Sequence, residues 1–473
     1  MTWLRLSTAL ATALLLAACA TFSPDGGIEN VAAFADRELG KRVVVLRSED
    51  EARAARAAIE RLLKRPLTAD AAVQIALLNN RGLQAAYNEL GIAEANMVAA
   101  SLPPNPTVSL SRIAGSGELE IESRIVASIL ALATLPARAE VASQRFRQAQ
   151  LRAIAETLQV ATDARRAWYR TVAASELAGF LSQAQSAAET AGKLARRLGE
   201  TGALNKLDQA REQVFYADIT TRVALARQGA NSERERLIRA LGLWNADLDV
   251  RLPRALPGLP ARPKMLPAIE REAIRRRVDL QIARIEVELL AKSYGLVQAT
   301  RFVNLLEVAG VSKKTRDVDG DIVRQRGVEV EFQIPLFDFG EARVREAEQT
   351  YMAAVNRLTE KAVNVRSEAR DAYRAYRAAY DIAAHYRREV LPLRQIISDE
   401  TMLRYNAMQI DVFSLLAEAR QRVAATAATI EAQRDFWLAN TNLSVAVVGG
   451  RPGGDAGEST RTAAVAGSEQ PGH

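Results

Sequence analysis

The sequence predicts a mainly α-helical fold in which one helix–strand–strand–helix unit occurs twice. Of the 473 residues, 48% are hydrophobic but only 5% are aromatic, and this composition favours long helices. A 116-residue interval between Pro136 and Pro253 contains no proline. An internal repeat is also present, because the segment that begins at Ala76 aligns with the segment that begins at Ala273, 197 residues later.

Residues 1–18 are predicted to be a lipoprotein signal peptide. Their apolar run is too short to span a bilayer of about 30 Å, as expected for the core of a signal peptide. The only cysteine of the chain, Cys19, follows Leu-Ala-Ala, a pattern that resembles a bacterial lipobox. This resemblance implies cleavage before Cys19 and its acylation, and Ala20 in place of Asp implies the outer membrane. An ordinary secretory signal with an incidental cysteine is the alternative.

The mature chain is predicted to contain two copies of the unit, at 67–252 and 268–450. Residues 19–66 would hold the lipid anchor, a tether and an N-terminal segment. Matching positions keep their order in both copies while the offset grows from 197 to 209, as expected of a duplication that gained loop residues. Five prolines in 253–267 favour an extended linker. The tail at 451–473, rich in Gly, Ser, Thr and Ala, is predicted to be disordered.

In the first copy, a helix is predicted from Thr68, a suitable N-cap residue, to Leu102, where a proline cluster stops it. Two strands follow, at 107–113 and 119–127. The proline-free interval then predicts helices of about 60 and 40 residues, separated by the Gly-Glu-Thr-Gly turn at 199–202.

The second copy repeats this plan. Its strands are predicted at 302–311 and 326–334, and its long helices are separated by a break near 404–411. At 1.5 Å per residue a helix of 60 residues is about 90 Å long, whereas ordinary globular helices average about three turns, so helices this long must lie in a coiled-coil-like bundle or tube.

The predicted strands alternate apolar and polar residues, which suits a wall with lipid or core on one side and water on the other. The acidic members of this pattern are Glu120, Glu122, Glu329 and Glu331. In a pore wall these four carboxylates would favour cations, although Arg124 and Arg326 lie close by in the sequence. Surface hairpins packed on a helical bundle are the alternative interpretation of the strands.

Four strands cannot close into a membrane barrel. Known barrels have at least eight strands, and open strand edges cannot face lipid. If the strands enter the membrane, several chains must therefore share one barrel, and three chains would supply twelve strands.

These features together resemble the TolC-like family of outer-membrane efflux proteins, specifically its lipoprotein branch. The matching segments are LTADAAVQIALLNN (67–80), LPPNP (102–106), GALNKLDQAR (202–211), IPLFDFG (334–340) and RYNAMQIDVFSLLAEAR (404–420). The resemblance implies a lipid-anchored homotrimer with a shared twelve-stranded β-barrel in the outer membrane and a long α-helical barrel in the periplasm. It also implies a passive channel that exports small molecules or ions, with a periplasmic adaptor and an inner-membrane pump as partners.

The breaks between long helices are predicted to form the periplasmic entrance or to contact the adaptor. The candidate residues are Gly199, Gly202, Asp399, Glu400, Arg404, Tyr405 and Asp411. The family often has Tyr-x-x-Gly-x-Arg at the second break, but here Met408 replaces the glycine and Ile410 the arginine. Arg404 is therefore the nearest basic candidate for a latch, with the three acids as acceptors.

Composition argues against an enzyme. One cysteine and two histidines exclude a cysteine-based zinc site and make a Ser–His–Asp triad hard to build, so no catalytic residue, metal or cofactor is predicted. Nucleic-acid binding is not expected either, because the basic residues behind the net charge of +7 are mixed with acids along the helices. The competing interpretation is a structural periplasmic helical lipoprotein without a pore.

Overall fold

The computed structural model describes residues 22–115, 118–202, 205–244, 250–303 and 305–449. The predicted signal peptide, Cys19 and the tail at 451–473 lie outside these ranges.

The chain divides into two compact units, each assembled from separate stretches of sequence. The strand-bearing unit holds the described residues up to Val31, together with Ala86–Ala153 and Asp279–Ala362. The helical unit holds Ala32–Ala85, Ile154–Val278 and the described residues from Val363 onward. Each unit therefore contains parts of both predicted copies.

The described helices and strands follow the predicted order in both halves of the chain. The first half forms α1 (Glu29–Leu39), α2 (Glu49–Leu63), α3 (Ala69–Asn79), α4 (Arg81–Ser101), β1 (Thr107–Gly115), β2 (Glu118–Ser128), α5 (Ile129–Ala133), α6 (Leu135–Glu200) and α7 (Lys206–Leu241). The second half forms α8 (Ile269–Arg276), α9 (Val278–Ala299), β3 (Leu306–Arg316), β4 (Ile322–Phe332), α10 (Glu341–His385), a π-helical segment (Tyr386–Val390), α11 (Leu391–Asn406) and α12 (Val412–Val448).

The prediction of one helix from Thr68 to Leu102 is wrong, because α3 and α4 are separate. Thr68 does cap α3, since its hydroxyl accepts a hydrogen bond from the backbone amide of Ala71 at 3.1 Å. Asn80 leaves the helical conformation at φ −67° and ψ 114°. Its side-chain oxygen then accepts from the amide of Leu83 at 3.1 Å, so that the same residue ends α3 and caps α4.

A second break occurs at Arg277, between α8 and α9. Arg277 has φ −65° and ψ 119°, close to the values of Asn80, and follows it by the 197 residues that separate the repeated segments. Its side chain forms an ion pair with Glu368 on α10. The two halves therefore make the same backbone break with different side-chain partners.

The long helices of the first half match the prediction closely. α6 has 66 residues and α7 has 36, and the turn at 199–202 ends the first of them. In the second half, a π-helical segment of five residues lies between α10 and α11. Pro392 explains it, because proline has no amide hydrogen and its ring clashes with the carbonyl four residues earlier in a regular α-helix.

The four strands form one antiparallel sheet in the order β1-β2-β3-β4. β1 and β2 lie within two residues of their predicted positions. β3 begins four residues later and ends five residues later than predicted, and β4 begins four residues earlier and ends two residues earlier than predicted. The hairpin between β3 and β4 is closed by Asp317, whose carboxylate accepts from the amides of Asp319 at 3.1 Å and Asp321 at 2.9 Å. The charged residues around this turn hid the strand ends from a pattern search.

The core of the helical unit contains a cluster of aromatic rings. Tyr376 of α10 packs on Phe436 of α12 with ring centroids 5.6 Å apart, and Phe436 contacts Trp437 at 5.1 Å. Trp437 stacks on Tyr169 of α6 at 5.3 Å. The cluster therefore joins three long helices, as expected of large side chains that bury much apolar area.

Candidate functional site

The antiparallel register divides the sheet into two faces, because directly opposed residues point to the same side. One side, the polar face, carries all four glutamates predicted to line a pore: Glu120, Glu122, Glu329 and Glu331. Arg124 and Lys313 lie on the same face. The strands thus bring together carboxylates that are more than 200 residues apart in sequence.

Ion pairs partly neutralise the polar face. A guanidinium nitrogen of Arg124 lies 3.2 Å from Glu329 and 3.5 Å from Glu331. The ammonium group of Lys313 lies 2.7 Å from the carboxylate of Glu120. Sequence analysis missed Lys313, because the third strand was predicted to end two residues before it.

The opposite side, the apolar face, exposes large hydrophobic side chains. Leu110 on β1 and Val328 on β4 are 76% and 77% exposed, and Phe332 is 60% exposed. Beyond the end of β4, Phe337 is 99% exposed. Such a continuous exposed apolar surface is typical of contact with a membrane or another protein.

The first predicted entrance turn is built on two glycines. Gly202 has φ +73°, a left-handed conformation that favours glycine, and its amide donates to the carbonyl of Gly199 at 3.1 Å. A Cβ atom on Gly199 would lie 1.9 Å from the side chain of Gln209 on α7. Gly199 therefore permits close contact between α6 and α7 beside the turn.

The charged residues of the second predicted turn pair within their own helix. Arg404 donates from Nε to Glu400 Oε1 at 2.9 Å, one helical turn earlier in α11. Asp399 accepts from the amide side chain of Gln395 at 2.7 Å. Of the three acids predicted as acceptors, the structure places Glu400 against Arg404 within this chain.

Asp411 caps α12. Its carboxylate accepts from the hydroxyl of Ser414 at 2.7 Å and from the amide of Ser414 at 2.9 Å. These hydrogen bonds hold the pKa of Asp411 below its usual value. On the other side of the turn, the carbonyl of Tyr405 accepts from the amide of Met408 at 2.9 Å, and Met408 has φ +59°.

A pair between the buried Glu212 and the partly exposed Arg420 joins α7 to α12, and sequence analysis missed it. Arg420 lies 3.1 Å from Glu212 Oε1, and its guanidinium group stands 4.5 Å from the ring centroid of Phe215. Burial raises the pKa of the Glu212 carboxyl, and the charge of Arg420 offsets only part of this effect. The two charged residues are 208 apart in sequence, so no local pattern links them.

The first described residues are held by the helices that flank the sheet. Ser23, four residues after Cys19, donates from its backbone amide to Glu94 Oε1 at 2.7 Å, and Glu94 on α4 is buried. Gly27 lies against the ring of Phe146 on α6. α4 leads into β1, so Ser23 and Gly27 contact helices of the strand-bearing unit.

The part of the chain that the structure describes can also be searched for metal ligands and for membrane-spanning helices. There, no three His, Cys, Asp or Glu side chains are grouped as metal ligands. No helix in the same ranges is both long and apolar enough to cross a membrane. His385 contacts Glu389, one turn later, at 3.1 Å, and both side chains are exposed.

Comparison with known proteins finds one family model that matches part of the chain. Residues 270–407 match the family described as outer membrane efflux protein. No protein with curated annotation matches the chain significantly.

Several solved structures share the fold of this chain. CusC, described as forming a transmembrane channel, is 16% identical, with a TM-score of 0.67 over 81% of this chain and 92% of CusC. The outer-membrane channel OprN is 17% identical, with a TM-score of 0.67 over 91% of this chain and 97% of OprN. The MtrE outer-membrane channel of Neisseria gonorrhoeae is 16% identical, with a TM-score of 0.64 over 80% and 88% of the two chains.

The family match and the shared fold agree with the resemblance to outer-membrane efflux proteins that the sequence segments indicated. Residues 270–407 therefore resemble the outer membrane efflux protein family, and the chain shares the fold of CusC, OprN and MtrE.

Proposed function

We propose that this protein is the outer-membrane channel of a tripartite efflux system. In this proposal, three copies form a passive conduit that carries small molecules or ions across the periplasm and the outer membrane. The channel performs no chemistry, and a periplasmic adaptor and an inner-membrane pump supply it with cargo. The observation that carries the proposal is the amphipathic sheet, within a chain that has the efflux-channel fold.

The two faces of the sheet suit the two environments of a barrel wall. Val328 and Leu110 lie on a face that would meet lipid, and Glu329 lies on a face that would meet water. One chain supplies four strands, so closure requires partners, and three chains give the twelve strands predicted from the family resemblance.

The decisive experiment reconstitutes the full-length protein in planar lipid bilayers. We expect discrete single-channel conductance steps and a trimer mass in mild detergent. A stable monomer that produces no conductance would instead support a structural periplasmic lipoprotein without a pore. The Val330→Glu variant is a useful control, because a charge on the apolar face should reduce insertion while the helical unit stays folded.

We propose that Cys19 anchors the chain to the outer membrane through its acyl chains. The positions of Ser23 and Gly27, which follow Cys19 in the sequence, support this proposal. Both residues contact helices that connect to the strands, Ser23 through Glu94 on α4 and Gly27 through Phe146 on α6. The Cys19→Ser variant should accumulate as a precursor without lipid label. Normal acyl labelling of that variant would contradict the proposal.

We propose that the turn at 199–202 and the turn between α11 and α12 form the periplasmic entrance and contact the adaptor. Arg404 and Asp411 are both exposed there. In this chain Arg404 pairs with Glu400 and Asp411 caps α12, so a latch between chains would share groups that already have local partners.

The entrance proposal is tested by resting conductance. If the charges form a latch, the Arg404→Ala/Asp411→Ala variant should conduct at rest more than the wild type. The Arg404→Ala/Asp411→Asn variant controls for loss of the helix cap, since asparagine removes the charge but can still cap α12. If the charges form the latch, it should show the same increase in resting conductance. Unchanged conductance in both variants would exclude these residues from the latch and leave helix packing to close the entrance.

We also propose that 67–252 and 268–450 descend from one duplicated unit. The breaks at Asn80 and Arg277 support this proposal, because they share a backbone conformation and keep the 197-residue offset.

A further inference from the structure

The apolar face of the sheet changes character toward its hairpin end. Its basic residues are Arg112, Lys314, Arg316, Arg324 and Arg326. All five are exposed, and none forms an ion pair with a carboxylate of the described residues. Every acidic residue of the four strands lies on the polar face instead. The charged residues of the apolar face are therefore all basic, whereas the polar face carries both signs.

Three of these cations share one row across the sheet. Arg112 and Lys314 both lie directly opposite Ile121, on either side of β2. Lys314 in turn lies directly opposite Arg324 on β4. Like charges that face each other on neighbouring strands destabilise a sheet unless another group neutralises them. The row thus lacks a protein counter-charge on this face and suits an anion from outside the chain.

The position of the row along the strands restricts where that anion can be. Arg324 lies eight residues from Phe332 at the helix end of β4, which is about 27 Å along the strand at 3.4 Å per residue. With a strand tilt of about 40°, this corresponds to about 20 Å of membrane depth, close to the edge of an apolar band about 25 Å tall. A cation on the lipid side is tolerated at such an edge and costly at the midplane.

We propose that this row, with Arg316 and Arg326 beside it, binds the phosphate groups of a phosphorylated glycolipid of the lipid A class in the outer leaflet. The inference rests on the proposed function, which places the hairpin ends of the strands away from the periplasmic helices. Guanidinium groups bind phosphate through paired hydrogen bonds. The acyl chains would lie along the apolar rows that contain Val328 and Val330.

The width of the row favours a lipid with two phosphates. Arg112 on β1 and Arg324 on β4 are three strand spacings apart, or about 14 Å at 4.8 Å per strand. A single phosphate cannot contact both ends of such a row. The apolar surface next to it favours a lipid over free phosphate, since only a lipid satisfies both regions.

The test measures binding of bisphosphorylated lipid A to the full-length protein in mild detergent, by native mass spectrometry. Monophosphorylated lipid A, phosphatidylglycerol and inorganic phosphate are the comparison probes. We expect the affinity to fall in that order, with no retention of inorganic phosphate. Equal affinity for lipid A and phosphatidylglycerol, or retention of inorganic phosphate alone, would overturn the assignment.

The Lys314→Gln/Arg324→Gln variant should bind lipid A at least tenfold more weakly than the wild type. Its matched control is Arg254→Gln/Arg262→Gln, which removes two exposed charges from the linker and should leave lipid binding unchanged. Unchanged lipid A binding in the strand variant would also overturn the assignment, as would an equal loss in the linker control.

A charge reversal provides a second variant that should fold well. Lys314→Glu would face Arg324 directly and form a cross-strand ion pair, so it should abolish lipid A binding and stabilise the sheet in lipid-free detergent. Retained lipid A binding in this variant would contradict the proposal.

Conductance keeps the two proposals distinguishable, because a wild type that binds lipid A without conducting would refute the channel and leave the lipid site standing.

Discussion

The aromatic core of the helical unit and the sheet of the strand-bearing unit place their apolar side chains in opposite ways. Tyr376 and Phe436 in the core are 0% and 1% exposed. Val328 on the sheet and Phe337 beyond it are 77% and 99% exposed. The core is stabilised by removing apolar area from water, whereas the sheet leaves apolar area exposed, and under the proposed function this area would meet lipid. The same residue types are therefore buried in one unit and exposed in the other.

The largest expected effect tests this contrast with one substitution in both regions. Phe436→Ala should lower the free energy of unfolding by about 3–5 kcal/mol, because it leaves a cavity among Tyr376, Tyr380 and Trp437. Phe337→Ala should change it by less than about 0.5 kcal/mol, since this ring contacts little protein. Denaturant titration in mild detergent measures both, and equal losses would break the comparison.

The next effect requires a membrane. Val330→Arg, in the apolar rows of the sheet, should cost about 2–4 kcal/mol of stability in a bilayer, because a charge would face lipid. Ser111→Arg is the matched control, as it places the same charge on the polar face directly opposite Glu122. Reversible folding into vesicles gives both values. If both variants lose the same stability, the assignment of the two faces is wrong.

Charged pairs in the two regions should also differ. Arg420→Ala should cost about 1–3 kcal/mol at neutral pH, because it leaves the buried carboxylate of Glu212 without its counter-charge. Lys313→Ala breaks the partly exposed pair with Glu120 and should cost less than about 1 kcal/mol. Denaturant titration at pH 7 compares the two variants, and a larger loss for Lys313→Ala would reverse the expected ranking.

The buried Glu212 also predicts a pH dependence of stability. Because burial raises the pKa of Glu212 in the folded state, its contribution to stability is complete below the unfolded pKa of about 4.3. That contribution is lost as the pH rises through the raised folded pKa, since the carboxyl must then ionise while buried. The free energy of unfolding of the wild type should therefore decline from low pH to pH 7. In the Glu212→Gln variant this decline should be smaller. An unchanged slope would show that Glu212 ionises without cost.

The smallest effect concerns the exposed turns, where neither a core nor lipid stabilises the backbone. Met408 has φ +59°, a conformation that costs a non-glycine residue about 1–2 kcal/mol. Met408→Gly should relieve this cost and stabilise the chain by about 0.5–1 kcal/mol after the entropy of the unfolded glycine is counted. Gly202→Ala, at φ +73°, should destabilise by a similar amount. Thermal unfolding in detergent measures both, and a destabilised Met408→Gly variant would contradict this account.

Much of the fold follows from local sequence rules. The long helices of the first half were predictable because α6 and α7 contain no proline after Pro136 and are divided by a glycine turn. The polar face was predictable in part, because alternation alone places Glu329 and Glu331 on one side of their strand. The outer limits of β3 and β4 were not, since Lys313, Lys314 and Arg324 look like loop residues until the strands pair.

Contacts between distant segments could not be predicted. Alternation shows that Glu120 faces one side of its strand, but only the register shows that Lys313 lies near it. In the same way, Arg404 had three possible acceptors in the sequence, and the helix geometry of α11 selects Glu400 one turn away.

The sequence by itself determined the order of helices and strands, the positions of most turns and the two-sided character of the strands, because these depend on residues within a few positions of one another. Only the tertiary structure decided that Asn80 divides a helix, that Glu212 is buried against Arg420, and that three cations of the apolar face share one row. The physical reason is that burial, strand register and charge pairing depend on segments that meet only when the chain is folded.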